Sequence, residues 1–282
     1  LAVPDSKLNL PCLTEKDLID LAWAVKNDID FVALSFVSSP KDVILLREKI
    51  KGLGASLPII AKIERAVSLD HIEEIAETAE TVMIARGDLG LELPLERVPS
   101  AQKYIIAAAN LRGTPVITAT QMLQSMVTEL RPSRAEVTDV CTAVRDGTDA
   151  GMLSEETAIG RHPVHVVQVL ARILEEVETE FQRDAQAFKL RNADQETVSD
   201  AICFAACGAA AKVSASAILA CTQSGYTAKL IAKYRPQQVV FGATTERRTL
   251  ARMAPYWGVN PVLMKLGEDS KAEDEIARAM AA

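Results

Sequence analysis

The chain has 282 residues, 49% of them hydrophobic and 24% charged, which is an ordinary balance for a globular protein. A net charge of -7 and a pI near 5.2 argue against a nucleic-acid partner, because phosphate backbones are bound by basic surfaces. No apolar run approaches the roughly 20 residues of a membrane helix and no signal-peptide pattern is present, so no membrane partner is expected.

The five cysteines are scattered, with no pair at the spacing of a zinc site or of a redox motif. Cys203 and Cys207 are four residues apart in an alanine-rich helical stretch, which predicts that they share a buried helix face. This cysteine usage is typical of a reducing compartment, and a cytoplasmic location is expected.

In the first part of the chain, short β-branched apolar runs alternate with longer amphipathic stretches. The runs lack a polar alternate face, which is typical of strands buried on both sides in a parallel sheet. The predicted strands cover residues 30–36, 58–64, 81–88, 115–121 and 150–157. The predicted helices cover residues 15–25, 40–51, 69–79, 99–111 and 134–146, with capping residues Thr14, Ser39 and Ser133.

Polar side chains stand at the carboxyl ends of these predicted strands. They are Ser35, Lys62 and Glu64, Arg86 and Asp88, Thr120 and Gln121, and Ser154 and Glu156. In a closed barrel the whole ring of strand ends carries the active site, whereas an open sheet concentrates it at one switch point. The distribution over five strands therefore favours a (β/α) barrel of the triosephosphate isomerase (TIM) type.

A helix over residues 164–182 and a polar linker over residues 183–195 are predicted to follow the barrel strands. Beyond the linker, helices are predicted over residues 196–212, 227–235 and 245–254, and strands over residues 217–221, 238–243 and 261–265. The expected organisation is a partial barrel domain over residues 1–168, a connecting segment over 169–195 and a smaller α/β domain over 196–282.

Lys62, Glu64 and Asp88 form the strongest local signal for chemistry. Alternation along a strand points Lys62 and Glu64 the same way, and Asp88 ends the next predicted strand. Two carboxylates can hold one Mg²⁺ whose coordination is completed by substrate oxygens and water, while the lysine offers positive charge to an oxyanion. From the residues alone, a buried ion pair of Lys62 with either carboxylate is an equally good interpretation.

Four further features each have a functional and a structural interpretation. Gly87 either lets backbone N–H groups approach a ligand anion or simply forms a turn. The Thr120 hydroxyl bonds a phosphate oxygen or only ends a strand. Arg131 and Arg134 reach a neighbouring subunit or are ordinary surface charges. Residues 222–227 form an anion site at a helix N-terminus or a capped turn.

Three motifs, together with their neighbouring segments, resemble the pyruvate kinase family in order and in spacing. They are ARGDLG at residues 85–90, ATQMLQSM at 119–126 and RPSRAE at 131–136. The resemblance runs over nearly the whole chain. It implies phosphoryl transfer from phosphoenolpyruvate to ADP, giving pyruvate and ATP in the last step of glycolysis.

The resemblance also implies a role for each matching residue of the barrel. Lys62 stabilises the transferring phosphoryl group and the enolate oxygen, and Glu64 and Asp88 bind Mg²⁺ or Mn²⁺. Thr120 places its hydroxyl beside the substrate. This division of roles suits phosphoryl transfer, which depends on positioning and charge neutralisation more than on covalent chemistry by the protein.

Substrate seating, assembly and regulation are implied by other matching segments. The backbone of Arg86, Gly87 and Asp88 binds the substrate carboxylate. Arg131 and Arg134 belong to a helix start that reaches a partner subunit in a homotetramer. A phosphorylated sugar effector is implied at the loop that contains Thr222, Ser224, Gly225 and Thr227.

Two departures from the family pattern bear on function. Glu155 replaces the glycine of the usual MLSGETA stretch, and we expect the fold to accommodate it although it adds a carboxylate near the barrel rim. Gln223 and Tyr226 stand where some members have lysine and arginine. A nucleoside or hexose monophosphate is therefore as plausible an effector as a sugar bisphosphate.

The resemblance further implies that this chain holds strands four to eight of the eight-stranded barrel. The remaining strands, the lid domain, the ligands of the K⁺ ion and the last strands of the second domain are expected to be absent from it. Such a chain alone is expected to be inactive, with exposed sheet edges. The alternatives are a Mg²⁺-dependent phosphoenolpyruvate or pyruvate lyase or aldolase, and a non-catalytic module that binds a sugar phosphate.

Overall fold

Five parallel strands in the order β1-β2-β3-β4-β5 form the sheet of the first part of the chain. The computed structural model describes residues 12–181 and 197–264, and the chain divides into two units between residues 184 and 185. The strands are Val32–Leu34 (β1), Ile59–Ile63 (β2), Thr81–Ala85 (β3), Val116–Ala119 (β4) and Ala150–Met152 (β5). Sequential parallel neighbours joined by helices are the topology of a (β/α) barrel segment, as predicted.

Eight helices of the described residues accompany this sheet. They are α1 (Glu15–Lys26), α2 (Pro40–Gly52), α3 (Ile72–Thr78), α4 (Arg86–Glu92), α5 (Val98–Leu111), α6 (Arg134–Asp146), α7 (Glu155–Ala158) and α8 (Pro163–Phe181). Capping boxes begin α1 at Thr14, α2 at Ser39 and α6 at Ser133, each joining the cap to the acidic residue three positions later. These helix starts confirm the predictions made from the local capping pattern.

The two faces of β2 are buried to different extents. On β2, Ile59, Ala61 and Ile63 are fully buried, whereas the alternate residues Ile60 and Lys62 are only half-buried. Because side chains alternate along a strand, the first set faces the helices and the second set faces the opposite side. The more open face is the one that becomes the interior when such a sheet closes into a barrel.

All five predicted strands of the first sheet end earlier than expected, and four of them do so because the chain turns at their polar ends. Phe36, Thr120 and Gln121 have φ values of 53°, 66° and 53°, in the left-handed region that ends a strand. The predicted strand over residues 81–88 stops at Ala85, and the next residue begins α4. Glu155 likewise begins the short α7 rather than extending β5.

The second unit contains a parallel sheet with strand order β6-β7-β8. Its strands are Ala217–Cys221 (β6), Val239–Thr244 (β7) and Val259–Leu263 (β8), and its helices are α9 (Val198–Lys212), α10 (Tyr226–Lys233) and α11 (Arg247–Arg252). The third strand begins two residues before the predicted start at 261, and residue 265 lies outside the described residues. Cys203 and Cys207 are both buried in this core, as predicted.

A buried ion pair joins α9 to α10 in this second unit. Lys233 Nζ lies 2.7 Å from Asp200 Oδ2, and the Tyr234 hydroxyl donates to Asp200 Oδ1 at 2.6 Å. Paired and hydrogen-bonded charges are the form in which burial is tolerated. The network therefore fixes how α10 packs on α9.

The predicted linker over residues 183–195 lies outside the described residues, and the domain limits at residues 168 and 195 remain predictions. In residues 12–181 and 197–264, no helix is long and apolar enough to cross a membrane.

Candidate functional site

The register of the first sheet brings the carboxyl ends of its strands to one edge. Leu34 pairs with Ala61, Ile63 with Ile84, and Ala119 with both Ala85 and Met152. Residues just beyond these positions therefore lie beside one another along the edge. They are Ser35, Phe36, Glu64, Arg86, Gly87, Asp88, Thr120 and Ser154.

Lys62 and Glu64 form an ion pair at the end of β2. Lys62 Nζ lies 2.6 Å from Glu64 Oε1, with the Lys62 side chain 25% exposed and the Glu64 side chain 2% exposed. The alternation argument placed both side chains on one side of β2, and their contact agrees with it. The buried-pair interpretation is thus realised in the structure, while the lysine still reaches solvent at the open face.

The first strand supplies a second partner to each member of this pair. The Phe36 N–H donates to Glu64 Oε2 at 2.6 Å, and Lys62 Nζ donates to Ser35 Oγ at 3.1 Å. Both oxygens of the buried carboxylate are therefore hydrogen-bonded, as burial of a charge requires. Sequence analysis placed Ser35 at a strand end but gave it no role, because its contact depends on the register between β1 and β2.

Asp88 differs from Glu64 in its surroundings. It lies in the first turn of α4, it is exposed, and within the described residues its carboxylate has no hydrogen-bond or ion-pair partner. The expectation that it would end strand β3 was wrong, because the helix begins at Arg86. The carboxylate nevertheless remains near the end of β3, beside the strand that carries Glu64.

This donor set suits a hard divalent cation. Glu64 and Asp88 offer carboxylate oxygens, and Mg²⁺ is commonly held by one or two carboxylates together with substrate oxygens and water. Residues 12–181 and 197–264 contain no group of three His, Cys, Asp or Glu side chains arranged for a metal. An all-protein cage is therefore not available there, and substrate and water would have to complete the coordination.

Gly87 and Thr120 are hydrogen-bonded to each other across α4 and the end of β4. The Gly87 N–H donates to Thr120 Oγ1 at 2.8 Å, and that hydroxyl donates to the Ala119 carbonyl oxygen at 2.6 Å. A Cβ at Gly87 would lie 3.5 Å from Thr120 Oγ1, which is ordinary contact. A close approach therefore does not require glycine here, and the Gly87 N–H is occupied by the Thr120 hydroxyl.

The side chain of Arg86 donates hydrogen bonds within the protein, mainly to backbone carbonyl oxygens. It is 8% exposed, and it donates to the carbonyl oxygens of Thr120 and Gln121 and to the carboxylate of Asp139. Only the main chain of Arg86 is therefore placed to contact a ligand. Asp139, on α6, was missed by sequence analysis because it is 53 residues distant, although a buried arginine is itself a signal that an acidic partner exists.

The start of α6 contains a hydrogen-bonded carboxylate and two exposed arginines. Glu136 accepts hydrogen bonds from Ser125 and Ser133. Burial raises the pKa of Glu136, but these hydrogen bonds outweigh it and hold the pKa below the usual range. Arg131 and Arg134 are exposed and, within residues 12–181 and 197–264, have no side-chain partner, so they are free to contact another molecule.

Glu155 and Glu156 follow β5 and have opposite environments. Glu156 is fully buried and accepts from the N–H groups of Leu123 and Ser154 at 3.1 Å and 2.7 Å. Glu155 is exposed and accepts from the Gln124 amide at 2.7 Å. The glutamate that departs from the family pattern is therefore accommodated at the surface, as expected.

The Thr222–Thr227 loop lies in the second unit between β6 and α10. The Gly225 N–H donates to Thr222 Oγ1 at 3.0 Å, and the Tyr226 N–H lies 3.4 Å from Ser224 Oγ. Gly225 has φ 85°, which favours glycine, and α10 begins at Tyr226, one residue before the predicted start. The capped-turn interpretation is thus realised for both hydroxyls, while Thr227 is half-buried in the first turn of α10.

Comparison with known proteins identifies the family of both units. Residues 1–167 match the family model described as the pyruvate kinase barrel domain, and residues 200–282 match the pyruvate kinase alpha/beta domain. A pyruvate kinase of Clostridium acetobutylicum is 42% identical over 93% of this chain and 55% of its own length. The pyruvate kinase of Dictyostelium discoideum is 38% identical over 99% of this chain and 56% of its own length.

A solved structure gives the same result. The crystal structure of a pyruvate kinase from Cryptosporidium parvum superposes with a TM-score of 0.93 at 37% identity, covering 99% of this chain and 59% of that one. The chain spans about half the length of the curated relatives it matches. By both family models and these relatives, the chain belongs to the pyruvate kinase family.

Proposed function

We propose that this chain carries the metal-binding and phosphoryl-stabilising part of a pyruvate kinase active site. The reaction transfers the phosphoryl group of phosphoenolpyruvate to ADP, and the enolate that remains is protonated to pyruvate. The observation that supports this best is the Lys62–Glu64 pair at 2.6 Å, placed at a strand end beside the Gly87–Thr120 contact. A cation, a carboxylate and a backbone N–H that bonds only a side-chain hydroxyl, all at one edge, suit an anionic phosphorylated substrate.

Glu64 and Asp88 would hold Mg²⁺ or Mn²⁺. A divalent cation bound there supplies positive charge that stabilises phosphoryl and enolate oxygens without proton transfer. Glu64 contributes the Oε1 atom that now contacts Lys62, since its Oε2 atom is held by the Phe36 N–H. Asp88 contributes a carboxylate that is exposed and unpaired within the described residues.

Lys62 acts as a fixed positive charge rather than as a nucleophile. Its ammonium is anchored between Glu64 and Ser35 at the open face of the sheet, where a transferring phosphoryl group and an enolate oxygen would lie. Charge that develops on those oxygens is stabilised by a cation positioned before the reaction begins.

The backbone of residues 86–88 and the Thr120 hydroxyl would position the substrate. The Gly87 N–H already bonds the Thr120 hydroxyl, and a substrate carboxylate would take that hydroxyl's place as acceptor. The Thr120 hydroxyl would then donate to the substrate only by turning its proton away from the Ala119 carbonyl oxygen. Holding both groups in one geometry supplies the orientation that phosphoryl transfer needs.

The remaining assignments are proposals about the longer protein. K⁺ is implied by the family, and no residue of this chain is assigned to it. Arg131 and Arg134, exposed at the start of α6, would contact a second subunit of a homo-oligomer. Thr222, Ser224, Gly225 and Thr227 would bind the phosphate of a sugar-phosphate effector, and a cytoplasmic location suits the free cysteines. No feature of the described residues favours a lyase, an aldolase or a non-catalytic sensor.

Mn²⁺ binding in the presence of oxalate, a mimic of enolpyruvate, tests the proposal. Electron paramagnetic resonance would compare the 282-residue chain with its Glu64→Gln and Asp88→Asn variants. Each substitution is expected to weaken binding at least about tenfold, because each removes a charged ligand. Glu155→Gln is the matched control, since Glu155 is an exposed carboxylate beyond β5, and it should bind as the unmodified chain does. Equal binding by all four proteins would contradict the metal assignment.

A turnover assay tests the expectation that this chain needs the rest of the protein. Phosphoenolpyruvate and ADP supplied to the purified chain should give no pyruvate above background. ADP-dependent turnover that is lost in Lys62→Met would show that the chain is active by itself. Phosphoenolpyruvate or pyruvate cleavage without ADP would instead favour a lyase or an aldolase.

A further inference from the structure

Ser35 is a polar strand-end residue that contacts the Lys62–Glu64 pair. The proposed function gives Ser35 no role. It follows β1, it is half-buried, and its hydroxyl accepts a hydrogen bond from Lys62 Nζ at 3.1 Å. Among the described residues, this is the hydroxyl's single hydrogen bond. A hydroxyl that serves only the fold usually bonds the backbone nearby, as those of Ser68 and Ser133 do.

The pair leaves only one oxygen of Glu64 open to exchange. Oε2 is held by the Phe36 N–H at 2.6 Å, a main-chain donor that cannot leave without moving β1. Oε1 is held by Lys62 Nζ at 2.6 Å, from a side chain that is partly exposed and able to move. A divalent cation approaching Glu64 therefore meets the Lys62 ammonium at the same oxygen, and two cations at one site repel each other.

We propose that Ser35 is a positioning residue that holds Lys62 when a divalent cation takes over Glu64 Oε1. This inference rests on the proposed function, because it concerns the metal ligand and the lysine of that site. With Glu64 shared or lost as an acceptor, the Ser35 hydroxyl is the remaining group among the described residues that accepts from the ammonium. The lysine then stays within reach of substrate oxygens instead of turning toward solvent.

The loss of the hydroxyl should harm the metal-bound state more than the metal-free state. In metal-free Ser35→Ala, Lys62 keeps Glu64 as its partner. In the metal-bound variant the ammonium keeps no protein acceptor, so the ion pair with Glu64 resists exchange. We expect Mn²⁺ binding to weaken about tenfold, which corresponds to about 1.4 kcal/mol.

A double-mutant cycle on Mn²⁺ affinity separates this role from a structural one. The four proteins are the 282-residue chain, Ser35→Ala, Lys62→Met and the double variant, each measured by electron paramagnetic resonance with oxalate present. Ser35→Ala should weaken binding about tenfold when Lys62 is present and less than about twofold in the Lys62→Met background. An equal effect in both backgrounds, or none in either, would overturn the proposal.

Two further variants serve as controls for this experiment. Ser35→Thr keeps the hydroxyl and should restore binding to within about twofold of the unmodified chain. Ser38→Ala removes a nearby hydroxyl that accepts from Arg65 rather than from Lys62, and it should leave Mn²⁺ affinity unchanged. Circular dichroism shows whether each variant is folded, and if Ser35→Ala does not fold, Ser35→Gly replaces it in the cycle.

Failure of this inference and failure of the proposed function give different results. If the metal assignment is wrong, Glu64→Gln binds Mn²⁺ as well as the unmodified chain does, and the inference is overturned with it. If the assignment is right but Ser35 has no positioning role, Glu64→Gln loses binding while Ser35→Ala retains it. That second result would overturn the inference alone.

Discussion

Arg86 donates two hydrogen bonds to the carbonyl oxygen of Thr120, from Nε at 3.2 Å and from Nη2 at 2.8 Å. Thr120 has φ 66°, an unfavourable conformation for a β-branched residue. The guanidinium therefore stabilises the turn from which the Thr120 hydroxyl reaches the Gly87 N–H. A buried arginine that bonds the protein's own backbone thus holds the turn that carries a proposed substrate-binding hydroxyl.

Replacing Arg86 should destabilise the first unit strongly. Arg86→Met leaves buried carbonyl oxygens at Thr120 and Gln121 without their donor and Asp139 without its ion pair. We expect a loss of about 3 kcal/mol in the free energy of unfolding, measured by urea denaturation. Arg134→Met, at an exposed arginine on α6, should change it by less than about 0.5 kcal/mol. Similar small changes in both variants would show that the Arg86 network adds little.

Gly160 should tolerate no side chain. A Cβ built there would lie 2.1 Å from the carbonyl oxygen of Glu156, far inside van der Waals contact and against backbone that cannot turn away. Gly160→Ala must therefore shift α7, whose buried Glu156 accepts hydrogen bonds from Leu123 and Ser154. We expect destabilisation of about 2 kcal/mol or more by urea denaturation.

Gly52 provides the matched glycine for that experiment. It ends α2, and nothing lies within 4 Å of a Cβ built on it. Gly52→Ala should be neutral or should stabilise the protein by up to about 1 kcal/mol, because alanine restricts the unfolded chain more than glycine does. If both alanine variants were equally stable, the close approach at Gly160 would have to be relieved by a small backbone shift.

Glu136 should make stability depend on pH in the acidic range. Burial opposes its charge, but hydrogen bonds from Ser125 and Ser133 hold its folded-state pKa below the usual range. The unfolded state therefore takes up a proton first as pH falls, so the contribution of Glu136 is present above the usual glutamate range and is lost below it. The difference in unfolding free energy between the unmodified chain and Glu136→Gln should shrink as pH is lowered from neutral through that range.

The control for the pH experiment is a glutamate whose carboxylate accepts no hydrogen bonds within the described residues. Glu96 is exposed and has no hydrogen bond or ion pair within the described residues. Glu96→Gln removes an exposed carboxylate, and at neutral pH it should change the free energy of unfolding by less than about 0.5 kcal/mol. A pH-independent difference for Glu136→Gln would mean that its hydrogen bonds do not favour the charged form.

Local patterns in the sequence were enough to predict the starts of α1, α2 and α6 and the order of the strands. The boxes at Thr14 and Ser133 depend on residues three positions apart, and strands such as β2 are continuous apolar runs. Alternation along β2 also placed Lys62 and Glu64 on one side of the strand. Each of these features is set within a few residues, which is why the sequence alone reveals it.

The turns at the strand ends could not be predicted in the same way. The first three residues of α4 were interpreted as the end of β3. Gly87 and Gly90 give this helix low intrinsic helix propensity. The helix forms nevertheless, and it buries Leu89 completely and keeps Arg86 in its network. Its stability comes from tertiary packing and from Asp139, far along the chain, and no local pattern reports such a partner.

Alkaline titration should single out one of the four tyrosines, because burial and then the hydrogen bond to Asp200 raise the pKa of Tyr234 well above its usual range. The folded state keeps the phenol proton, so Tyr234 stabilises the second unit below the usual tyrosine range and this stabilisation is lost as pH rises beyond it. In ultraviolet titration, Tyr234→Phe should remove the step at highest pH, whereas Tyr226→Phe, at an exposed tyrosine, should leave that step in place. If Tyr234→Phe leaves the last step unchanged, the Asp200 network does not protect this phenol.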